Sequence, residues 1–461
     1  MSPDKSFDVP HSDHQLFEQV SRSDHAHVFH AWSAQADITP LPVAGGKGVF
    51  FWDYEGHRYL DFASQLVYTN LGHRHPKLVI AIQEQVARLP NIAPAFANEK
   101  RSEAATLISD VAPAALNKVF FTNGGADANE HAIRMARLHT RRGKVLSFYR
   151  SYHGATAGAI ALTGDPRRWA SEPAMPNVVH FWGPYLYRSS FYSRSEEEEG
   201  ERALEHLQNV LLVEGPETVA AILIETVVGT NGILVPPSKY LIGVRRLCDQ
   251  YGIVMICDEV MAGFARCGEW FAVDHWNVVP DLITFAKGST SGYVPLGGVI
   301  ISNEIAKTFD HVAYPGGLTY SGHLLACAAA AASIKIIREE GILEHVRHLG
   351  KDVLGPGLRA LAERHPSVGD IRGIGAFWTV ELVSDRVTHT PLVPFNAKGN
   401  DAAPMREISE SCKKNGMWPF THFNLVHVTP PCIISDSDAQ DGLNILDQAL
   451  TIADRYYAGK D

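Results

Sequence analysis

Lys287 is the residue from which chemistry can be argued first. It closes the run Asp281-Leu-Ile-Thr-Phe-Ala-Lys287, in which residues 282–286 are mostly apolar and read as a buried strand. Five of the next eleven residues are Gly or Pro, so the chain turns there before a second strand over 299–302. An ammonium group at the end of a buried strand is either a solvated surface lysine or a functional amine, because burying it unpaired is costly. Other polar groups fall at comparable points. The apolar run 219–224 ends at Glu225, and the run 253–257 ends at Asp258-Glu259. A short strand over 118–121 leads into Thr122-Asn-Gly-Gly-Ala126 and then a helix over 127–142. That helix has acidic residues in its first turn and Arg137, Arg141 and Arg142 near its end. A glycine turn feeding a helix N-terminus leaves backbone N–H groups free to cradle a phosphate. Gly124-Gly125-Ala126 is not GxGxxG and gives no dinucleotide fingerprint. A strand over 145–148 ends at Tyr149-Arg-Ser-Tyr-His-Gly154, where Tyr152 and His153 either meet a ligand or pack as a turn.

The elements that carry these groups alternate strand and helix, which implies parallel strands. In open parallel sheets ligands bind outside the carboxyl ends of the strands. One edge would then gather a phosphate cradle, a tyrosine, two carboxylates and a lysine. Together these are the equipment for pyridoxal 5'-phosphate (PLP): an amine for a Schiff base, a carboxylate for the pyridinium nitrogen, N–H donors for the phosphate and an aromatic face. Around this core the sequence predicts a hairpin over 46–62 turning at Asp53-Tyr-Glu-Gly56, and helices over 76–88, 99–111 and 240–251. A polar loop over 183–201 carries the acidic run 196–199, which reads as a solvated helix start. Residues 1–45 read as an arm whose histidines at 11, 14, 25, 27 and 30 have no metal-ligand spacing.

Composition narrows the alternatives. With 461 residues, 45% hydrophobic and 20% charged, the chain is long enough for two or three packed domains. A net charge of −10 argues against nucleic acid or an anionic membrane as the main partner. Six scattered cysteines without a CxxC pair signal neither a disulfide framework nor a zinc site, and fit a reducing cytoplasm. The polar segment 1–24 lacks the apolar core of a signal peptide, and the Ala-rich run 324–337 is too short to span a membrane.

Six pieces of sequence, in order, resemble the class III (ω-amino acid or amine:pyruvate type) PLP-dependent aminotransferases of the aspartate-aminotransferase fold, fold type I. They are Phe-Thr-Asn-Gly-Gly-Ala-Asp-Ala-Asn-Glu over 121–130, Tyr152-His-Gly, Ile224-Glu225, Cys257-Asp-Glu-Val-Met-Ala-Gly-Phe-Ala-Arg266, Pro280-Asp-Leu-Ile-Thr-Phe-Ala-Lys-Gly288 and Leu318-Thr-Tyr-Ser-Gly-His323. The resemblance covers residues from about 45 to 435. It implies an α/β fold with a mostly parallel seven-stranded sheet in a large PLP-binding domain over 70–325. The arm and hairpin (1–69) and residues 326–461 would form a smaller α+β domain. It also implies a homodimer with active sites at the interface, or a tetramer of such dimers.

The same resemblance assigns roles by position. Lys287 would form the Schiff base and Asp258 would pair with the pyridine nitrogen. Val260 and Tyr152 would flank the ring, and Gly125 and Ala126 would hold the phosphate through backbone N–H. Thr319 would reach the phosphate of the partner subunit, and Glu225 would stand at the edge of the substrate pocket. Leu66, Val67 and Tyr68 would line the pocket wall. Two departures stand out. Ala126 replaces the usual phosphate-binding hydroxyl of the family. The segment 416–431 lacks the arginine that many members use for a substrate carboxylate, leaving His422, Asn424 and His427 as the comparable groups. Arg372 matches a family position in the small domain where a structural role is expected. The expected activity is ping-pong amino transfer from an ω-amino acid or amine, taurine and β-alanine among the fitting donors, to pyruvate or 2-oxoglutarate. Another PLP reaction on the same scaffold (decarboxylation, racemisation or epimerisation, or 1,2-amino migration) is the alternative, and a cofactor-free binding protein is a further one.

Overall fold

Apolar runs that stay apolar on both faces build the centre of the molecule. The computed structural model describes residues 12–459, so His11 and the first part of the arm lie outside the described residues. Seven strands form the main sheet: β1 (Leu116–Thr122), β2 (Lys144–Phe148), β3 (Val178–Phe181), β4 (Val219–Glu225), β5 (Val254–Asp258), β6 (Leu282–Phe285) and β7 (Gly297–Ser302). Their order across the sheet is β1-β7-β6-β5-β4-β2-β3. All pairings are parallel except those of β7, which runs antiparallel to both neighbours. Every residue of β4, β5, β6 and β7 is buried, the pattern of a sheet covered on both faces. The mostly parallel seven-stranded sheet expected from the resemblance is present.

The helix over Gly125–Thr140 lies on one face. Its Ala128, Ala132, Ile133 and Ala136 pack with Val145, Leu223, Ile256 and Val299 in one apolar cluster. Small side chains on that helix let its backbone approach the sheet closely. The helix begins two residues before the sequence-predicted start at 127, and ends where Arg141 takes a left-handed conformation (φ 58°). Gly125 and Ala126 therefore belong to its first turn. The helices over Pro76–Arg88, Glu99–Val111 and Tyr240–Tyr251 match their predicted spans, and the acidic run starts a helix at Glu196–Glu214. Edge strand β3 was not predicted; four residues containing His180 carry too little alternation to be read as a strand.

A second core gathers the other elements. Strands Val368–Ile374, Phe377–Asp385, Leu425–Val428 and Phe420–His422 form an antiparallel sheet. The predicted hairpin is made of Phe50–Asp53 and Arg58–Asp61, extended by Val43–Lys47. Its last strand pairs in parallel with Met417–Trp418, which ties the N-terminal segment to the end of the chain. Val49, Leu60 and Phe62 share an apolar cluster with Leu358, Val380, Val426 and Leu446. All six cysteines are free and buried. Among the described residues no helix is long and apolar enough to cross a membrane.

Candidate active site

Strand register sets the site. Glu225 on β4 pairs with Asp258 on β5, and Asp258 pairs with Thr284 on β6. Neighbouring strands lie about 4.8 Å apart, so these three residues form one row at the carboxyl ends of the strands, and Lys287 follows just beyond. The groups that the sequence scatters over more than 60 positions thus meet because each ends a strand of the same parallel block.

Asp258 is held by three donors. Oδ2 accepts from Asn129 Nδ2 (2.8 Å) and His153 Nδ1 (2.8 Å), and Oδ1 accepts from the Val260 N–H (3.0 Å). Asn129 is oriented in turn: it donates to the His153 carbonyl and accepts from the Thr284 hydroxyl, both at 2.8 Å. Ser147 Oγ lies 3.0 Å from His153 Nε2; with the hydroxyl donating there, Nδ1 carries the proton toward Asp258. The carboxyl group is thereby fixed in position on the cavity wall.

Lys287 takes a left-handed backbone conformation (φ 42°), uncommon for a residue with a side chain and a mark of local constraint. Among the described residues its Nζ has no hydrogen-bond partner. Burial draws its pKa down to about 8, against the opposing pull of Glu225 and Asp258. The Glu225 carboxylate accepts from the N–H groups of Tyr152 (2.8 Å) and Gly229 (2.7 Å), and burial pushes its pKa up to about 7.

A cavity of about 440 Å³ is bordered by Lys287, Asp258, Glu225, Tyr152, Val260, Gly125, Ala126 and Tyr68. At its far end the Gly125–Thr140 helix begins. The first backbone bond inside that helix is from Ala128 N–H to the Gly124 carbonyl, which leaves the preceding N–H groups free. A Cβ on Gly125 would come within 2.8 Å of Val260 Cγ2, so glycine is needed for this approach of helix and strand end.

Three of the residues expected at the substrate pocket lie elsewhere in this chain. Val67 is buried in the core (1% exposed) and Leu66 is 46% exposed, because positive φ at Gln65 and Val67 redirects the short segment Ser64–Val67. His422 borders a different groove, together with Arg406, Lys413 and Phe423. Burial holds its imidazole neutral, with a pKa of about 4, and leaves Nε2 without a partner. Thr319, assigned to a partner's phosphate, is exposed on the single chain.

One cation was not singled out from the sequence. Arg167 sits in the 3-10 turn Pro166–Ser171 and accepts its orientation from Asp165, whose carboxylate takes both the Arg167 backbone N–H (2.9 Å) and Nε (2.9 Å). Nη2 reaches Asp165 and the Thr230 hydroxyl (2.8 Å), and Asn231 also donates to Asp165 (3.1 Å). The guanidinium carbon lies 3.7 Å from the centre of the Tyr152 ring. Nη1 has no partner among the described residues, and the charge is felt at both Lys287 and His422. The signal was Asp165-Pro-Arg167, a capping aspartate two residues before an arginine, but nothing in sequence ties it to Tyr152.

The aminotransferase class-III family model matches residues 31–450. Putrescine–pyruvate aminotransferase of Pseudomonas aeruginosa is 33% identical over 447 residues, covering 95% of this chain and 94% of the relative. A probable 4-aminobutyrate aminotransferase of Bacillus subtilis is 34% identical, covering 88% of this chain and 92% of the relative. Among solved structures, taurine:2-oxoglutarate aminotransferase from Bifidobacterium kashiwanohense, in complex with PLP and glutamate, aligns with a TM-score of 0.92 and 42% identity over 96% of this chain and 99% of that one. The chain belongs to the class-III aminotransferase family, enzymes of fold type I that depend on PLP. It is a transaminase that moves an amino group from an amine or ω-amino acid to a keto acid.

The residues present fit that cofactor. An unpartnered amine and a triply bonded carboxylate border one cavity, with an open helix N-terminus and a tyrosine ring on the same walls.

Proposed function

We propose that this enzyme transfers the amino group of an ω-amino acid carrying a carboxylate or sulfonate, such as β-alanine, 4-aminobutyrate or taurine, to pyruvate or 2-oxoglutarate. The observation that carries the proposal is the meeting of Lys287, Asp258 and the Gly125–Ala126 helix start around one cavity, with the unspent N–H of Arg167 beside Tyr152. PLP, when bound, supplies an aldehyde for the amine and an electron-withdrawing ring. Lys287 would hold the cofactor through its amine, and that amine, brought near neutrality by burial, would take and return the proton of the donor carbon. Asp258 would hold a proton at the ring nitrogen, and its three donors keep the carboxylate from turning away. The free N–H groups of Gly125 and Ala126 would hold the phosphate, and Val260 and Tyr152 line the walls where the ring would lie.

Arg167 answers the question left by the missing C-terminal-domain arginine. Asp165 and Thr230 fix it, so little ordering is needed when Nη1 meets an acid group of the substrate. Glu225, Tyr68 and Tyr152 border the cavity, and Arg167 stacks on the ring of Tyr152. Leu66, His422 and Thr319 contribute, in this reading, through neighbouring grooves or across a homodimer interface, whereas Val67 packs in the core. The division into a large domain over 70–325 and a small one from 1–69 and 326–461, and a cytoplasmic location suited to six free thiols, belong to the same proposal.

The test is a donor panel read through the absorbance of the bound cofactor, with taurine, β-alanine, 4-aminobutyrate and putrescine. The acidic donors should convert it and pyruvate or 2-oxoglutarate should restore it. Loss of carbon dioxide or racemisation without amino transfer to added keto acid would instead establish the alternative PLP chemistry.

A further inference from the structure

Glu225 also borders a second and much smaller cavity, whose lining does not include Lys287. It offers about 20 Å³, room for one species of about the size of a water molecule. Arg150, Arg188, Tyr240 and Glu225 are among the residues that border it. Three observations show a surplus of donors here.

Tyr240 is 1% exposed, and its hydroxyl has no hydrogen-bond partner. A buried hydroxyl without a partner costs about 1–3 kcal/mol, so such groups are normally satisfied. Arg150, held in a left-handed conformation (φ 62°), makes no hydrogen bond to any described residue. Its guanidinium lies 5.1 Å from the centre of the Tyr185 ring, and Arg372 lies 4.8 Å from the same ring. Arg188 uses Nε on Glu381 and Nη1 on the His389 carbonyl (2.7 Å), but its Nη2 is buried without a partner.

The acceptors nearby are already engaged. Arg150, Arg188 and Arg372 face Glu381 and Asp370, with the Glu225 carboxylate on the cavity wall. Glu381 is taken up by Arg188, by Arg372 (2.8 Å) and by the Tyr185 hydroxyl, and Asp370 by Arg372 (2.6 Å). Glu225 already accepts backbone N–H at both oxygens. The donors left unmatched belong to Arg150, Arg188 and Tyr240, which border the same space. Burial lowers the proton affinity of Arg150, with Arg188 and Arg372 adding to the effect and Tyr185 and Glu381 opposing it.

We propose that this cavity binds one small monovalent inorganic anion, of which chloride is the type, between Arg150, Arg188 and Tyr240. Polyatomic anions such as sulfate exceed the space. The bound anion would accept the unmatched donors and brace the loop 149–154, which also carries Tyr152, against the strand that carries Glu381.

The experiment uses the PLP-loaded enzyme. Crystals soaked in sodium bromide should show an anomalous peak in the cavity bordered by Arg150 and Tyr240. In solution, thermal stability should rise saturably with chloride or bromide at constant ionic strength made up with gluconate, and not with sulfate. Arg150→Gln and Tyr240→Phe should each weaken the apparent chloride affinity, about tenfold or more for the arginine. Arg150→Lys should restore part of it. A water molecule and no anomalous peak at that position, or a chloride response that both variants leave unchanged, would overturn the proposal.

Discussion

Replacing Arg167 by glutamine tests the least expected part of the site. The substitution removes the charge, the free Nη1 donor and the Nη2 contact to Thr230, while leaving an amide at the level of Nε that is able to reach Asp165. Hydrogen bonds to charged groups contribute about 1.5–3 kcal/mol each. Because Asp165 and Thr230 already fix the guanidinium, little of that is offset by ordering the side chain on binding. One such contact corresponds to a loss of roughly 10- to 150-fold in kcat/KM, at tenfold per 1.4 kcal/mol. The assay is steady-state amino transfer with taurine, β-alanine and putrescine at fixed keto acid, together with titration of the cofactor-free protein with PLP. Acidic donors should lose the stated factor, putrescine should lose little in its own half-reaction, and PLP affinity should hold. Equal losses for the acidic donors and for putrescine, whose tail is a cation, would refute the reasoning, since they would mean that Arg167 acts only by stacking on Tyr152.

Three further outcomes follow from the same geometry. Lys287→Ala should lose the yellow colour of lysine-attached cofactor and about 10⁴-fold or more of its turnover, measured by product formation over long times; a fully active variant would remove the basis for the whole assignment. In cofactor-free enzyme, burial lowers the lysine's proton affinity, so the neutral amine becomes abundant at lower pH than in a free lysine; competitive acetylation of Lys287 should show a midpoint near pH 8, and a midpoint near that of free lysine would contradict a desolvated site. Gly125→Ala should loosen PLP in equilibrium dialysis because the new Cβ meets Val260 at 2.8 Å, and adding Val260→Ala should recover part of the affinity if that contact is the cause.

Much of this site was legible as a set of chain positions. Lys287, Asp258 and Glu225 each end an apolar run, and such runs alternate with helices, so parallel pairing and a shared edge follow from local pattern. The start of the Gly125 helix was readable to within two residues. What the pattern could not supply was direction. Leu66 and Val67 are adjacent to Tyr68 in sequence, yet only Tyr68 reaches the cavity, because positive φ at Ser64, Gln65 and Val67 turns the segment. Arg167 was invisible for a related reason: its importance rests on Thr230 and Tyr152, which are near only after folding.

The sequence alone determined which groups the enzyme owns and the order in which strands present them, since hydrophobic period and turn residues act over short range. Tertiary structure decided the register that sets Glu225 beside Asp258 and Asp258 beside Thr284. It also decided the three donors on Asp258, the burial that draws Lys287 toward neutrality, and the unpartnered donors around the small cavity that Glu225 borders. Those are properties of distance and desolvation between segments far apart in the chain, and no local pattern encodes them.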